Sequence, residues 1–247
     1  MPKYIIAETM AAQLSLIFLS SLLLLAPALH STQAVEFIVS NRAETTPGGV
    51  TFNNQLGVEY TRQTMESASN FIWNIFQQSN EADRKSVQRV PLFVDDMEPG
   101  KIAYTNISNG NYEIHVGDDY IQSIRGDMIK TDFNGVLYHE MVHVWQWLDY
   151  GTDRSGNVSE GIADFVRLKA NYVPNSGWVQ PGGGDHWDQG YSVTARFLDY
   201  CNDLRNGFVA ELNKMMKAGY NDRYFVDLLG KSADELWSEY KAKYAGN

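Results

Sequence analysis

Within "GVLYHEMVHVWQWLDYG", Gly135 to Gly151, two histidines stand four residues apart and a glutamate follows the first. On a helix, His139 and His143 fall on one face with β-carbons about 5–6 Å apart. Two imidazoles so placed reach a single zinc ion at about 2.0–2.1 Å. Glu140, one step around the helix, is badly placed to share that ion. It is well placed to hold a water beside it and take its proton, the division of labour in the HExxH pattern.

A hydrolytic zinc site needs a third protein ligand and an open position. "SEGIADFVRLK" offers one: Ser159 reads as an N-cap, and Glu160 and Asp164 follow at i and i+4. Glu160 is the expected third ligand, and Asp164 the acceptor for the free ring N–H of a ligating histidine. Asp149, six residues after His143, competes for the third place. That spacing works only if the helix breaks after the second histidine. Gln146, Trp147 and Leu148 give no break, and on a continuing helix Asp149 lies about 240° around from His143. Glu160 is therefore preferred. Leu137, Met141, Val144 and Leu148 form an apolar stripe, with Met141 about 200° from His139. The helix is expected to bury that back and present its histidines to a cleft.

The surrounding elements follow from pattern. "VEFIVSN" alternates as a strand does, and Pro47-Gly48-Gly49 reads as a turn after it. Residues 54–78 repeat apolar positions at helical spacing. "RVPLFVDD" contains Pro91 and so suggests an edge strand. "KIAYTNISNGNYEIHVGDDYI" suggests a hairpin turning at Asn109-Gly110. Beyond about Thr131 only helical patterns remain: 132–148, 159–172, 188–205, 208–218 and 232–244. Gly207 and Gly219 stand where helices would stop, and Ser232 to Glu235 has the capping-box form. The fold class is α+β, a small mixed sheet with helices in the N-terminal half and a helical C-terminal half. The α/β part spans about 35–150 and the helical part about 151–247.

Residues 1–34 read differently. The apolar run "LSLIFLSSLLLLAPAL" follows Lys3, and "STQA" places Thr32 and Ala34 as small residues for cleavage. This is the form of a secretory signal peptide; the run is short and broken for a membrane span. The mature chain is expected to be secreted, with no stable membrane association. Sequons at Asn106 and Asn157 suit that compartment. Cys201 is the only cysteine, in an apolar helical context that makes it an inert core thiol. A net charge of −10 and a pI near 4.9 argue against a nucleic-acid partner, which needs clustered Lys and Arg.

Three longer stretches, "FNGVLYHEMVHVWQW", "EGIADFVRLKANY" and "WDQGYSVTARFLDYCNDLRNGFVAELN", resemble the plant basic secretory protein family, pathogenesis-related proteins grouped with zincin-type metallopeptidases. The resemblance runs from about Val35 to Tyr244. It implies a zincin-like catalytic domain over 35–247 with its cleft between an α/β part and a helical part. It also implies an extracellular setting, apoplast or cell wall, in plant defence. His139, Glu140, His143 and Glu160 match the family's metal and base positions. The acidic composition departs from the family's name and speaks against roles built on positive charge.

Hydrolysis also needs a donor for the developing oxyanion. His186 and Tyr191, in the glycine-rich "GGGDHWDQGY", are the candidates; each also has a plain role, as a surface residue or a packing aromatic. Other conspicuous residues have bland explanations. His115 fits a strand face, Met215 and Met216 fit a mid-helix packing role, and Trp145 and Trp147 fit the core or a cleft wall. Asp95-Asp96 and Asp118-Asp119 lack the spacing of a calcium loop and read as surface charge. The expected activity is a zinc-dependent peptidase acting on peptides or proteins. The alternative is a zincin-fold defence protein with structural zinc and little turnover, favoured by a sequon at Asn157 beside the cleft. A metal hydrolase of non-peptide substrates is the weaker third class.

Overall fold

The computed structural model describes residues 34–246 apart from 149, 175 and 176. The signal-peptide segment, all but Ala34, and the competing ligand Asp149 lie outside the described residues. Residues 35–247 cluster as one compact unit.

Four strands form one sheet: β1 (Glu36–Asn41), β2 (Arg89–Asp95), β3 (Ala103–Ser108) and β4 (Asn111–Gly117). Their order is β1-β2-β4-β3, with β1, β2 and β4 parallel and β3 antiparallel to β4. The β3–β4 hairpin turns on two residues with positive φ, Asn109 at 51° and Gly110 at 76°, as a tight hairpin requires. β2 is an interior strand, against the expectation of an edge. Pro91 is tolerated because pairing with β4 begins one residue later, at Leu92, so no ladder bond is asked of it there. Val90, Leu92, Val94, Ile114 and Val116 are fully buried on one face, the period-two signature of a half-buried sheet.

Among the described residues nine α-helices accompany the sheet. The first two are α1 (Pro47–Gln55) and α2 (Gly57–Ile75). The expected turn at Pro47-Gly48-Gly49 is the start of α1. Thr46 caps it by accepting from Gly49 N–H, and Pro47 occupies the first helical position. Both glycines are demanded by close approach: a β-carbon on Gly48 would lie 2.0 Å from the Asp118 carbonyl oxygen, and one on Gly49 1.7 Å from that of Ala43. The short α3 (Asp118–Ser123) packs on α1, and Asp118 is buried there rather than at the surface.

The central element is α4 (Ile129–Trp145), which contacts α2, β3 and β4. From Phe133 to Trp145 every residue is buried. The single apolar stripe expected for this helix is thus too narrow a description. Sheet, α2 and the following helix enclose it on all sides, and the histidine face is buried as well. The helix also stops earlier than expected, at Trp145, because Gln146 turns extended (ψ 152°).

Next comes α5 (Asp153–Lys169), which starts six residues before the expected Ser159. Its cap is Thr152, in a reciprocal capping box with Ser155. Ser159 is buried mid-helix and bonds back to the Ser155 carbonyl. Helix α6 (Tyr191–Leu204) crosses α5 closely: a β-carbon on Gly161 would lie 2.3 Å from Thr194 Cγ2. The chain ends with α7 (Phe208–Met215), α8 (Arg223–Leu229) and α9 (Ala233–Tyr244). Met215 is the last residue of α7 and Met216 follows it, so the pair is not mid-helix, but Met216 takes the expected packing role in the core. Phe197, Phe225, Trp237 and Tyr240 pack ring against ring among these helices. Cys201 is buried here, and burial pushes its thiol pKa well up, so it is unreactive. No described helix is long and apolar enough to cross a membrane.

Candidate functional site

Helices α4 and α5 meet so that three side-chain atoms converge. His139 Nε2 lies 3.2 Å from His143 Nε2 and 3.1 Å from Glu160 Oε2, and His143 Nε2 lies 3.5 Å from the same oxygen. With the imidazoles neutral each atom offers a lone pair, and together they form a group able to hold a metal ion that displaces the proton. The two histidines come from one face of α4 by the i,i+4 register. Glu160 arrives from α5, which packs against α4.

The far side of each imidazole is held. Asp164, one turn beyond Glu160, places Oδ1 2.8 Å from His139 Nδ1, where it accepts the ring N–H and leaves Nε2 free for the metal side. Gln146 places its amide 2.8 Å from His143 Nδ1 and 3.3 Å from the Ser159 carbonyl. With the amide nitrogen on that side, Gln146 Oε1 is buried without a partner. Turned end for end, the amide gives Oε1 the His143 Nδ1–H to accept, the tautomer that bares Nε2, in exchange for the longer bond to the Ser159 carbonyl. The helix end after Trp145 is what lets Gln146 fold back under the histidine.

The electrostatics favour a cation. Burial alone would lower the His139 pKa; the Asp164 and Glu160 carboxylates beside it more than reverse this and push it up to about 10. Burial opposes the charge on Glu160 as well, yet its bonds to the two imidazoles hold its pKa well below the carboxylate range. A negatively biased pocket with two imidazoles and a carboxylate as inner donors fits zinc or a similar divalent ion.

Glu140 is buried but outside the three-atom group. Its Oε2 accepts from the Thr105 hydroxyl at 2.7 Å, and Thr105 also lies 3.1 Å from the Glu140 carbonyl. Strand alternation accounts for this: Thr105 pairs with Ile114, whose side chain faces the core and α4.

The group opens into a cleft of about 490 Å³ walled by residues 102–105 of the β3 side, α4 and α5, with Tyr150 and Tyr191 at its rim. Tyr191 stacks on His139, with ring centroids 6.0 Å apart and planes at 7°. Its backbone is left-handed (φ 44°), an uncommon conformation for a tyrosine and one that costs about 1–3 kcal/mol. Burial, then the nearby Glu160 and Glu140, raises the pKa of both tyrosines, so both hydroxyls stay protonated and can donate.

The structure does not bring His186 to this group. It is exposed, with Nδ1 3.0 Å from Asp188 Oδ1, beside the Arg154–Asp188 ion pair. Of the two sequons, Asn106 is exposed on β3. Asn157 is half-buried in α5, with Nδ2 donating to the Asp188 carbonyl at 2.9 Å. His115 is half-buried, bonded to Asp95 at 2.6 Å and stacked on Tyr104. Trp145 lies in the core, donating to Ser69 Oγ, and Trp147 is partly buried against it. Thr105, Gln146, Tyr150 and Arg167 border or support the cleft and were not foreseen. Arg167 had a signal, since 160, 164 and 167 share a helix face; Thr105 and Gln146 had none beyond strand alternation and adjacency to His143.

The class these features define is an α+β protein with an enclosed three-donor centre at the floor of an open cleft. The chain belongs to the BSP family, described as a peptidase of plants and bacteria, whose match covers residues 32–240. A protein of Boswellia serrata named "Basic secretory protease" is 49% identical over 61 residues, 25% of this chain and 70% of that protein. No solved structure matches the chain.

Proposed function

We propose that this member of a peptidase family is a secreted, zinc-dependent peptidase of zincin-like architecture. The observation that carries the proposal is the convergence of His139, His143 and Glu160 within 3.5 Å of one another, with Glu140 beside them but held outside the group by Thr105. A zinc ion held by those three residues would polarise a substrate carbonyl and acidify a water. Glu140, buried beside the donor group and held by Thr105, would take the proton of a water in the cleft as the water oxygen bonds to the peptide carbonyl carbon. As the C–N bond breaks, Glu140 returns the proton to the departing amine. Thr105 fixes the carboxylate for both transfers. Tyr191 or Tyr150 donates to the carbonyl oxygen as it takes on charge.

Substrate binding follows from sheet order. β3 is an edge strand, paired on one side with β4, and its other side borders the cleft. An extended peptide can add to that edge through backbone hydrogen bonds.

Secretion is supported by the signal-like segment 1–34 and by the Boswellia relative's name, and glycans are proposed at the sequons Asn106 and Asn157, of which Asn106 is the exposed one. The extracellular role in plant defence rests on the family resemblance. The alternative is a structural zinc with little turnover, which peptide cleavage itself decides. The test is Glu140→Ala: peptide cleavage is lost and metal content stays. Cleavage at the wild-type rate would overturn the assignment of the base.

A further inference from the structure

Apart from the two imidazoles of the donor group, the cleft wall carries one positive charge among its described residues. Arg167 lies on α5, on the face that carries Glu160 and Asp164, and the remaining charged groups lining the cleft are acids: Glu140, Glu160 and Asp164. An arginine in such company would ordinarily pair with one of them, but Arg167 forms no ion pair among the described residues. Among the described residues its side chain makes one hydrogen bond, from Nε to the Tyr172 carbonyl at 3.0 Å.

The guanidinium is nonetheless held in place. Gly135 on α4 leaves the space it occupies: a β-carbon there would lie 2.6 Å from Arg167 Nε and 2.9 Å from its Nη2. Trp178 covers it at 5.6 Å from the ring centroid. The terminal nitrogens thus form a fork with no acceptor among the described residues, an arrangement that matches a carboxylate in two parallel hydrogen bonds.

We propose that Arg167 is a specificity-determining residue that binds a substrate carboxylate. This deepens the peptidase proposal and rests on it. Arg167 is seven residues past Glu160, about 10 Å along the helix. That is about three residues of extended chain. The cleft therefore selects peptides with a carboxylate two to three residues from the bond cleaved, either an acidic side chain or the chain's own C-terminus.

The experiment uses two proteins and matched peptides. Wild-type enzyme is given peptides with Glu at each position around the cleaved bond, their Gln counterparts, and Gln peptides with free or amidated C-termini. Fluorescence anisotropy measures binding of the same peptides to zinc-loaded Glu140→Ala protein. Cleavage and binding both favour the carboxylate partner by about 10–100-fold. The side-chain and C-terminal arms identify which carboxylate is read. Arg167→Gln brings the ratio to about one, and Arg167→Lys, which keeps the charge but not the fork, restores part of it. Equal treatment of Glu and Gln peptides by the wild type, or an undiminished ratio in Arg167→Gln, overturns the proposal, as does failure to bind any peptide. If Arg167→Gln does not fold, the wild-type ratio and Arg167→Lys decide. Cleavage without selectivity refutes this subsite and leaves the peptidase proposal standing; selective binding without cleavage does the reverse.

Discussion

Asp164→Asn isolates the contribution of one hidden carboxylate to metal affinity. Asp164 is 4% exposed and accepts His139 Nδ1–H at 2.8 Å. A buried hydrogen bond to a charged acceptor contributes about 1.5–3 kcal/mol, against about 0.5–1.5 for a neutral one. Asparagine keeps the shape and can still accept, so the loss is the difference, about 1–2 kcal/mol. That weakens zinc binding about 5–30-fold. Asp164→Ala leaves the ring N–H buried and unpaired and costs more, up to about 100-fold. Zinc affinity is read by competition with a chromophoric chelator at fixed pH, and far-UV circular dichroism confirms the fold. At saturating zinc the extra thermal stability conferred by the metal shrinks by the same free energy. Glu140→Gln, which alters a carboxylate outside the donor group, leaves the affinity within about twofold of wild type. Unchanged zinc binding in both Asp164 variants would refute the assignment of His139 as a ligand held by this carboxylate.

Three further outcomes are expected. Thr105→Val removes the hydroxyl that holds Glu140 Oε2 at 2.7 Å; kcat falls about tenfold while zinc content is unchanged, and a loss of zinc instead would move Thr105 to a structural role. Gly161→Ala drives a methyl to 2.3 Å from Thr194 Cγ2 and separates α5 from α6; urea unfolding shows a loss of about 1–3 kcal/mol, and a neutral result would contradict the close crossing. Lys85 has its pKa lowered to about 8 by burial. The unfolded chain, with Lys near 10.4, binds more protons between those values, so stability rises with pH from about 8 to 10.4 as the charge penalty is relieved. Lys85→Met therefore stabilises by about 1–2 kcal/mol at pH 7, after allowance for its contacts with the Tyr112 and Trp147 rings, and the gain fades above pH 10. A gain independent of pH would refute the burial penalty.

How much of this was legible in the sequence depended on whether the deciding contact was local. The histidine pair was legible because helix register fixes i and i+4 without help from the rest of the chain. Glu160 and Asp164 were legible for the same reason once a second helix was granted, although the start of that helix was not. Thr152 and Ser155 form a capping box with serine where glutamate or glutamine is the usual partner, so Ser159 looked like the cap. The start of α1 was misread because its two glycines answer to Asp118 and Ala43, contacts with no trace in the local pattern. All-round burial of α4 was hidden because His139, Glu140, His143 and Asn134 count as polar in any periodicity while their partners on α5, β3 and α2 bury them. Pro91 suggested an edge strand on sound chemistry; only the pairing register shows that its neighbour β4 begins one residue too late to need its N–H. The end of α4 was the costliest miss. Gln146 breaks the helix to reach His143 and Ser159, a tertiary reason that no propensity records.

The account turns on one cation held jointly by α4 and α5, and zinc K-edge X-ray absorption of the loaded protein reads that shell directly. It predicts one zinc per chain with two imidazole nitrogens and a carboxylate oxygen at about 2.0–2.1 Å, and loss of the bound ion in Glu160→Ala. A shell with fewer than two imidazoles, or full zinc retention in Glu160→Ala, would contradict it.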